Sequence, residues 1–259
     1  MRILDIDLDF FLDHRPLFTP RGRPGLAASA PWEAGRVREF LERRCGLDAR
    51  NPLPGRTVAH HHEVFLDWRE RIARGQLAPP FEVVHVDWHA DLGMGEPTPN
   101  YILTELLRAP VAERAFPPAE PGRRLGPGNY LAFAIACRWI GGLTYVYNPR
   151  RRDLDVPEYL MRDGDLGSRR IQLRRFPAGT PFEAILDRSV PPCALEPDLP
   201  FQMVGGDDLE PGAPFDWIYL AQSPDYAPPE ADRLIPLIEE YMRPPDPPTP
   251  TRGSPGAAC

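Results

Sequence analysis

Two short acidic strings, each at the end of an apolar run, constrain the fold of this chain most strongly. The strings are Asp5-x-Asp7-x-Asp9 and Asp87-x-His89-x-Asp91. A third string, His60-His61-His62-Glu63, closes a strand-like segment at residues 56–59. Acids collected in this way repel one another unless cations neutralise them. The sequence therefore predicts a dinuclear, hydrolytic metal site.

Segments typical of strands alternate with segments typical of helices, which predicts an α/β fold with a mostly parallel central sheet. Strands are predicted at residues 1–11, 57–59, 83–86, 143–147, 171–176 and 217–221. Helices are predicted at about residues 32–45, 64–73, 101–108, 128–140 and 228–242, with a kink at Pro236. Sites in such sheets lie at the carboxyl ends of the strands. We therefore expect the three strings to meet in one site.

The 259 residues suffice for one large domain. We expect a single domain over residues 1–243 and a Pro-rich, disordered tail over residues 244–259, because the tail lacks the apolar residues needed to fold. No stretch approaches the roughly 18 apolar residues that span a membrane. The chain also opens directly with a strand, without a secretory signal. The expectation is a cytoplasmic protein with no membrane partner.

The basic residues do not indicate a nucleic-acid partner. All 30 of them are arginine, and the chain has 35 prolines, a composition typical of a GC-rich coding bias. The net charge of −7 disfavours a polyanion, so the runs at residues 150–152 and 169–170 are interpreted as solvated surface. The four cysteines lack C-x-x-C spacing, which argues against a zinc knuckle or a disulfide framework.

The donor types indicate the kind of metal ion. Carboxylates with one or two imidazoles suit Mn²⁺ better than an ion that prefers thiolates. We expect the second string to turn after His89, so that its side chains wrap around two cations. Only one of the three consecutive histidines is expected to be a ligand. His85, inside a strand, is interpreted as a hydrogen-bonded core histidine.

Two other interpretations of the first string fit less well. An EF-hand loop fails because Phe10 replaces the required glycine and Pro16 the twelfth-position glutamate. A haloacid-dehalogenase-like phosphatase also has two aspartates after an N-terminal strand, and residues 206–208 would resemble its late acidic loop. However, those enzymes usually place Thr or Val at the position of Asp9, and they use a lysine that this chain lacks.

Several segments resemble the arginase/deacetylase superfamily. Residues 86–91 resemble its D-x-H-x-D string, residues 4–7 its strand ending in D-x-D, and Gly128-Asn129 the turn that contacts substrate in arginases. Residues 5–11, 61–64 and 223–226 are closest to a divergent branch that includes the peptide arginases. These enzymes convert arginine side chains of ribosomally made peptides to ornithine. The resemblance covers roughly residues 1–11, 57–140 and 215–240.

The resemblance implies a three-layer arginase/deacetylase-like fold with two ions, expected to be Mn²⁺. The D-x-D strand comes first here rather than late, so the strand order looks circularly permuted. The implied ligands are Asp5, Asp7, Asp9, His61, Asp87, His89 and Asp91, with His62 as a fallback for His61. Asp87 and Asp5 would bridge both ions, His89 and Asp7 would complete one coordination sphere, and Asp91 the other. Asp9 would be an additional ligand or would contact a ligand from behind.

The resemblance also implies a reaction, in which a metal-activated hydroxide hydrolyses peptidyl arginine to peptidyl ornithine and urea. Asn129 would contact substrate, and Asp225 would pair with the guanidinium. Leu131 stands where arginases carry a proton-shuttling histidine, so Asp91 or one of His60, His62 and His14 would move protons, and the sequence does not choose among these histidines. The partner would be an arginine-containing precursor peptide, and a homo-oligomer is left open. A small-molecule ureohydrolase, a metal-dependent deacetylase and a non-catalytic interaction protein are the alternatives.

Overall fold

A central sheet organises the computed structural model, which describes residues 1–16, 18–19, 22–25, 29–153 and 155–245. The strands are β1 (Arg2–Asp7), β2 (Leu53–Val58), β3 (Phe81–Asp87), β4 (Ile140–Tyr147), β5 (Arg170–Ile171), β6 (Arg174–Arg175), β7 (Ala194–Leu195), β8 (Leu199–Gly205), β9 (Trp217–Ala221) and β10 (Met242–Arg243). Eight of them form one sheet in the order β10-β2-β9-β1-β3-β4-β8-β5, and β6 pairs with β7. Residues 246–259 of the predicted tail lie outside the described residues.

Every pairing in the eight-stranded sheet is parallel except that of β5 with β8. Strand β1 lies between β9 and β3, so both of its edges are paired. A parallel strand that is covered on both faces has an almost continuous run of apolar residues in its sequence. This explains why Ile3, Leu4 and Ile6 are all buried.

Short helices cover both faces of the sheet. They are α1 (Ala34–Glu39), α2 (Glu63–Ala73), α3 (Thr98–Thr104), α4 (Tyr130–Ala136), α5 (Phe182–Leu186) and α6 (Ile235–Glu239). A π-helical turn, Phe40–Arg44, continues α1, and a 3₁₀ segment, Pro229–Leu234, precedes α6. Further 3₁₀ turns are Leu8–Phe11, Leu106–Arg108, Val111–Glu113, Glu158–Leu160, Arg162–Gly164, Leu166–Ser168 and Gly206–Asp208.

Two apolar cores lie on opposite faces of the sheet. One contains Phe65 and Trp68 of α2 together with Phe133 of α4. The other contains Phe40 of the π-helical turn and Ile238 of α6. The result is a three-layer α/β arrangement, and the predicted α/β class with a mostly parallel sheet is confirmed.

Several predicted boundaries were wrong for local reasons. The first strand ends at Asp7, because the Asp7 carboxylate accepts the backbone N–H of Asp9 and starts a 3₁₀ turn. The predicted strand at residues 171–176 is interrupted between β5 and β6. The helix predicted at residues 128–140 ends at Ala136, since Arg138 adopts a left-handed conformation with φ of 60°.

Two features near the carboxyl end also differ from the predictions. Strand β8 was missed because its exposed residues, Pro200 and Gln202, leave only a weak apolar pattern. The predicted last helix is 3₁₀ before α6 and ends at Glu239, and Pro236 lies in the first turn of α6, where its missing N–H costs little. None of the helices in the described part of the chain combines the length and apolar character needed to cross a bilayer.

Candidate metal centre

The carboxyl ends of three strands place the acidic strings together. Strands β1 and β3 are paired in register, with Asp5 opposite His85, so Asp7 and Asp87 emerge at the same sheet edge. His61 follows β2, two strands away, in the turn that precedes α2. The convergence expected from the strand-end rule is present, and it builds a buried cluster of acids and imidazoles.

The first ligand group consists of His61, Asp7, Asp87 and Asp91. His61 Nδ1 lies 3.1 Å from Asp7 Oδ2 and 3.2 Å from the Oδ2 atoms of both Asp87 and Asp91. All four side chains are buried. His61 Nδ1 nevertheless has no partner with hydrogen-bond geometry. A buried imidazole nitrogen among three carboxylate oxygens is a donor set that suits a divalent cation.

The second ligand group consists of Asp9, Asp87 and His89. His89 Nδ1 lies 3.2 Å from Asp9 Oδ2 and 3.6 Å from Asp87 Oδ1. Asp9 Oδ2 is another buried polar atom without a hydrogen-bond partner. Asp87 thus contributes one carboxylate oxygen to each group. Both groups contain donor sets close enough together to hold a metal ion, and Asp87 is the residue that they share.

Asp5 lies behind the first ligand group rather than between the two groups. Its Oδ1 atom is 3.1 Å from His61 Nε2, and its Oδ2 atom accepts a hydrogen bond from the Tyr130 hydroxyl. Asp5, His61 and His85 are close enough to hold an ion. However, the Tyr130 hydroxyl lies 3.1 Å from His61 Nε2 and 3.2 Å from His85 Nδ1, and so fills the space between them. The bridging position predicted for Asp5 does not match this geometry.

His85 has the surroundings of a hydrogen-bonded core histidine. Its Nε2 atom lies 3.0 Å from the carbonyl oxygen of His89, and its Nδ1 atom lies 3.3 Å from Asp5 Oδ2. It is also a member of a possible donor group with Asp87 and Asp91, at 3.3 and 3.9 Å. Since both ring nitrogens are already engaged, His85 is placed to support the loop that carries His89.

Two unusual backbone conformations bring the remaining groups into place. Asp91 has φ of 49°, and this left-handed residue provides the predicted turn after His89. Ser223, after β9, has φ of 48°, and its hydroxyl donates to Asp7 Oδ2. Non-glycine residues adopt this region when the surrounding structure compensates the cost. Of these two residues, Asp91 belongs to the first ligand group and Ser223 holds another member of it.

An inner cavity of about 110 Å³ opens above the ligand groups. Its polar walls consist of Asp7, Asp9, Asp87, His89, Asp91, Glu96, Asp155, Ser223 and Tyr226. Asp155 is neutralised by Arg151, whose Nη2 atom lies 3.0 Å from Asp155 Oδ1. The Tyr226 ring packs against His89, with the ring centroids 5.1 Å apart. Six carboxylates therefore face one small space.

An outer groove of about 450 Å³ adjoins the inner cavity, and both share Glu96, Pro127, Gly128 and Tyr226. Asp225 lines this groove but not the inner cavity. Asn129 also lines the groove, although its amide is buried and donates to Glu96 Oε2 at 2.6 Å. Asp225 and Asn129 therefore both lie in the outer groove. The substrate contacts predicted for them stay predictions.

The described structure places His62 in the lining of neither the inner cavity nor the outer groove. It precedes α2, and its ring stacks on His60 with centroids 5.8 Å apart. Of the three consecutive histidines, only His61 belongs to a donor group. The predicted proton-transfer role of His62 has no support in this position. Asp207 and Asp208, the acids of the phosphatase alternative, are exposed after β8 and do not line the inner cavity.

Charge interactions within the cluster are strong. Burial and the neighbouring charge of Asp87 raise the pKa of Asp91 to about 7. Burial opposes the charging of His85, but hydrogen bonds to Asp5 and Asp87 outweigh it and raise the pKa of His85 to about 10. Burial opposes ionisation of Asp87 as well, yet the neighbouring imidazoles of His61, His85 and His89 hold its pKa well below the usual range. Without cations, the carboxylates are thus stabilised by protons on the imidazoles.

In comparisons with known proteins, no family model, no curated protein and no solved structure matched the chain. The centre also contains residues that sequence reasoning missed. Tyr130, Ser223 and Glu96 contact ligands or line the cavity. Tyr130 follows the Gly128-Asn129 turn and Ser223 opens the Ser-Pro-Asp-Tyr segment, so both were adjacent to motifs already identified. Glu96 belongs to none of the motifs identified in the sequence.

Proposed function

We propose that this protein is a dinuclear metal hydrolase of arginase-like fold, with the D-x-D strand moved to the front of the chain, that converts peptidyl arginine to peptidyl ornithine and urea. The observation that carries the proposal is the Asp87 carboxylate, which contributes one oxygen to each of two adjacent ligand groups. Shared carboxylates of this kind are a hallmark of two-metal hydrolytic sites. The acidic inner cavity supports a cationic substrate.

The ligand assignment differs from the one implied by the sequence resemblance. His61, Asp7, Asp87 and Asp91 would hold one ion, and Asp9, Asp87 and His89 the other. The D-x-D match then moves by two residues, from Asp5-x-Asp7 to Asp7-x-Asp9, and Asp9 becomes a direct ligand. The donor set of carboxylates and imidazoles suits Mn²⁺. When bound, the ions would lower the pKa of a water molecule and so supply a nucleophile for the guanidinium carbon.

Residues around the ligands hold them in the required orientation. Asp5 accepts from His61 Nε2, which leaves Nδ1 directed at the carboxylates of the first ligand group. Ser223 donates to Asp7 and holds its carboxylate. Outer hydrogen bonds of this kind select the histidine tautomer and increase ligand basicity. Burial raises the pKa of Tyr226, so its phenol stays protonated and available as a hydrogen-bond donor to substrate.

The outer groove supports a peptide as substrate. Because the groove continues from the inner cavity, an arginine side chain would reach the ligand groups while the peptide backbone stays in the groove. The groove also contains Arg124, the type of group that a free α-carboxylate would need. Arg124 therefore keeps a small-molecule ureohydrolase as the second candidate.

The test is to incubate Mn²⁺-loaded protein with an N-acetylated, C-amidated arginine peptide and, separately, with free arginine. Mass spectrometry would detect conversion of arginine to ornithine, and a urea assay would detect the second product. Turnover of the peptide alone supports the proposal. Turnover of free arginine alone selects the small-molecule ureohydrolase, and no turnover of either, with two ions bound, contradicts guanidinium hydrolysis.

A further inference from the structure

Glu96 differs from the other carboxylates of the inner cavity because none of the residues that the structure describes neutralises it with a positive charge. Four of the six belong to the two ligand groups, and Asp155 pairs with Arg151. Glu96 is outside both ligand groups. Within the described part of the chain, no arginine forms an ion pair with it. Once two divalent cations neutralise the ligands, Glu96 is the remaining negative charge on the cavity wall.

The Glu96 carboxylate is held in position by its neighbours. Asn129 Nδ2 donates to its Oε2 atom at 2.6 Å. The absence of a side chain at Gly128 makes room for the other oxygen, because a Cβ atom there would lie 2.6 Å from Glu96 Oε1. The loop that carries Glu96 and the loop that carries Gly128 are joined by a backbone hydrogen bond, in which Gly93 N donates to the Gly128 carbonyl oxygen at 2.7 Å. A flexible side chain is thereby fixed at a defined point of the wall.

The location of Glu96 is also distinctive. Glu96 lines both the inner cavity and the outer groove, whereas Asp225 lines only the groove. The Asp225 side chain is 40% exposed. A cationic side chain that enters from the groove must pass Glu96 before it reaches the ligand groups. A half-buried carboxylate pairs with a planar cation more strongly than one exposed to water.

We infer that Glu96 binds the substrate guanidinium, and that Asn129 and Gly128 position it. This inference rests on the proposed function and names the carboxylate that selects the substrate. It replaces Asp225, the residue expected from sequence, as the partner of the cation. Asn129 then acts through Glu96, because its amide is already committed to the Glu96 carboxylate.

The test compares Glu96→Gln with the matched variant Asp225→Asn, both loaded with Mn²⁺. Loss of the charged hydrogen bonds in Glu96→Gln should reduce kcat/KM for the arginine peptide by roughly 10- to 100-fold. Asp225→Asn should reduce it by a smaller factor, because Asp225 lines only the outer groove. Metal content should stay at the wild-type level in both variants.

A second readout separates charge recognition from structural damage. A peptide with citrulline in place of arginine is neutral and of similar shape, and its inhibition constant reports binding without the charge. Wild type should prefer arginine to citrulline, Glu96→Gln should lose this preference, and Asn129→Ala should lose part of it. An unchanged preference in Glu96→Gln, or loss of metal from it, would overturn the inference while wild-type turnover preserves the proposed function. An inactive wild type would overturn both.

Discussion

His61 Nδ1 lies 3.2 Å from Asp87 Oδ2, although the strands that deliver these residues are separated in the sheet by β9 and β1. The contact is achieved because His61 belongs to the turn after β2 and extends across the carboxyl ends of the two intervening strands. The same edge brings Asp7 within 3.1 Å of the imidazole. The candidate centre is therefore a property of the sheet order and not of any one motif.

Asp87→Ala should abolish binding of both ions, because Asp87 is the residue shared by the two ligand groups. Peptidyl arginine turnover should fall to background. Metal content by mass spectrometry and urea release measure the two effects. Asp207→Asn, an exposed acid after β8, is the control and should retain two ions. An Asp87→Ala protein that keeps both ions would refute the bridging assignment.

Asp5→Asn and Tyr130→Phe should each weaken Mn²⁺ binding by about 10- to 100-fold without reducing the number of ions at saturation. Both changes disturb hydrogen bonds that hold His61 from behind, and neither removes a ligand. Calorimetric titration with Mn²⁺ measures affinity and stoichiometry together. If Asp5→Asn instead binds one ion or none at saturation, Asp5 is a ligand, as the resemblance to arginases implied.

The metal-free protein should lose stability as pH rises from about 4 to about 10, first through Asp91 and then through His85. The pKa of His85 is raised to about 10 and that of Asp91 to about 7, both above their unfolded values. A group with a raised folded pKa stabilises fully below its unfolded pKa, and that contribution disappears as pH passes the folded pKa. Thermal denaturation with chelator across this range measures the effect.

Added Mn²⁺ should show the opposite trend. Ligands bind metal in their deprotonated forms, so the rise in Tm on metal addition should become larger over the same pH interval. The paired measurement, with and without metal, is its own control. Metal-free stability that increases with pH would show that protonated imidazoles do not compensate the carboxylates.

Gly128→Ala should lower turnover of the arginine peptide while leaving metal content unchanged. The added methyl would meet Glu96 Oε1 at 2.6 Å and displace the carboxylate from the cavity wall. Gly35→Ala in α1 is a matched control, since nothing lies within 4 Å of its added Cβ. Kinetics on the two variants provide the comparison, and equal activity would indicate that the position of Glu96 does not matter.

Much of the fold could be predicted from local patterns. The apolar runs before Asp5 and Asp87 indicated buried parallel strands, and the rule that sites lie at their carboxyl ends brought the three strings together. Local patterns predict such features because burial and strand geometry act over a few residues.

The tertiary structure alone decided which of these residues face the cavity. Strand β1 stops at Asp7, where a capping hydrogen bond begins the 3₁₀ turn, and this places Asp9 beside His89 and leaves Asp5 behind His61. No sequence pattern shows where three separate strand ends will lie relative to one another.

The roles of three further residues could be recognised only in the tertiary structure, for the same reason. These residues are Tyr130, Ser223 and Glu96. Each acts through contacts between residues distant in the chain, such as Tyr130 with Asp5 and Ser223 with Asp7. The sequence by itself determined the fold class and the kinds of donor atoms. Which donor atoms lie next to one another was determined by the order of the strands in the sheet and by where each strand ends. Distances of about 3 Å between side chains depend on how whole elements pack.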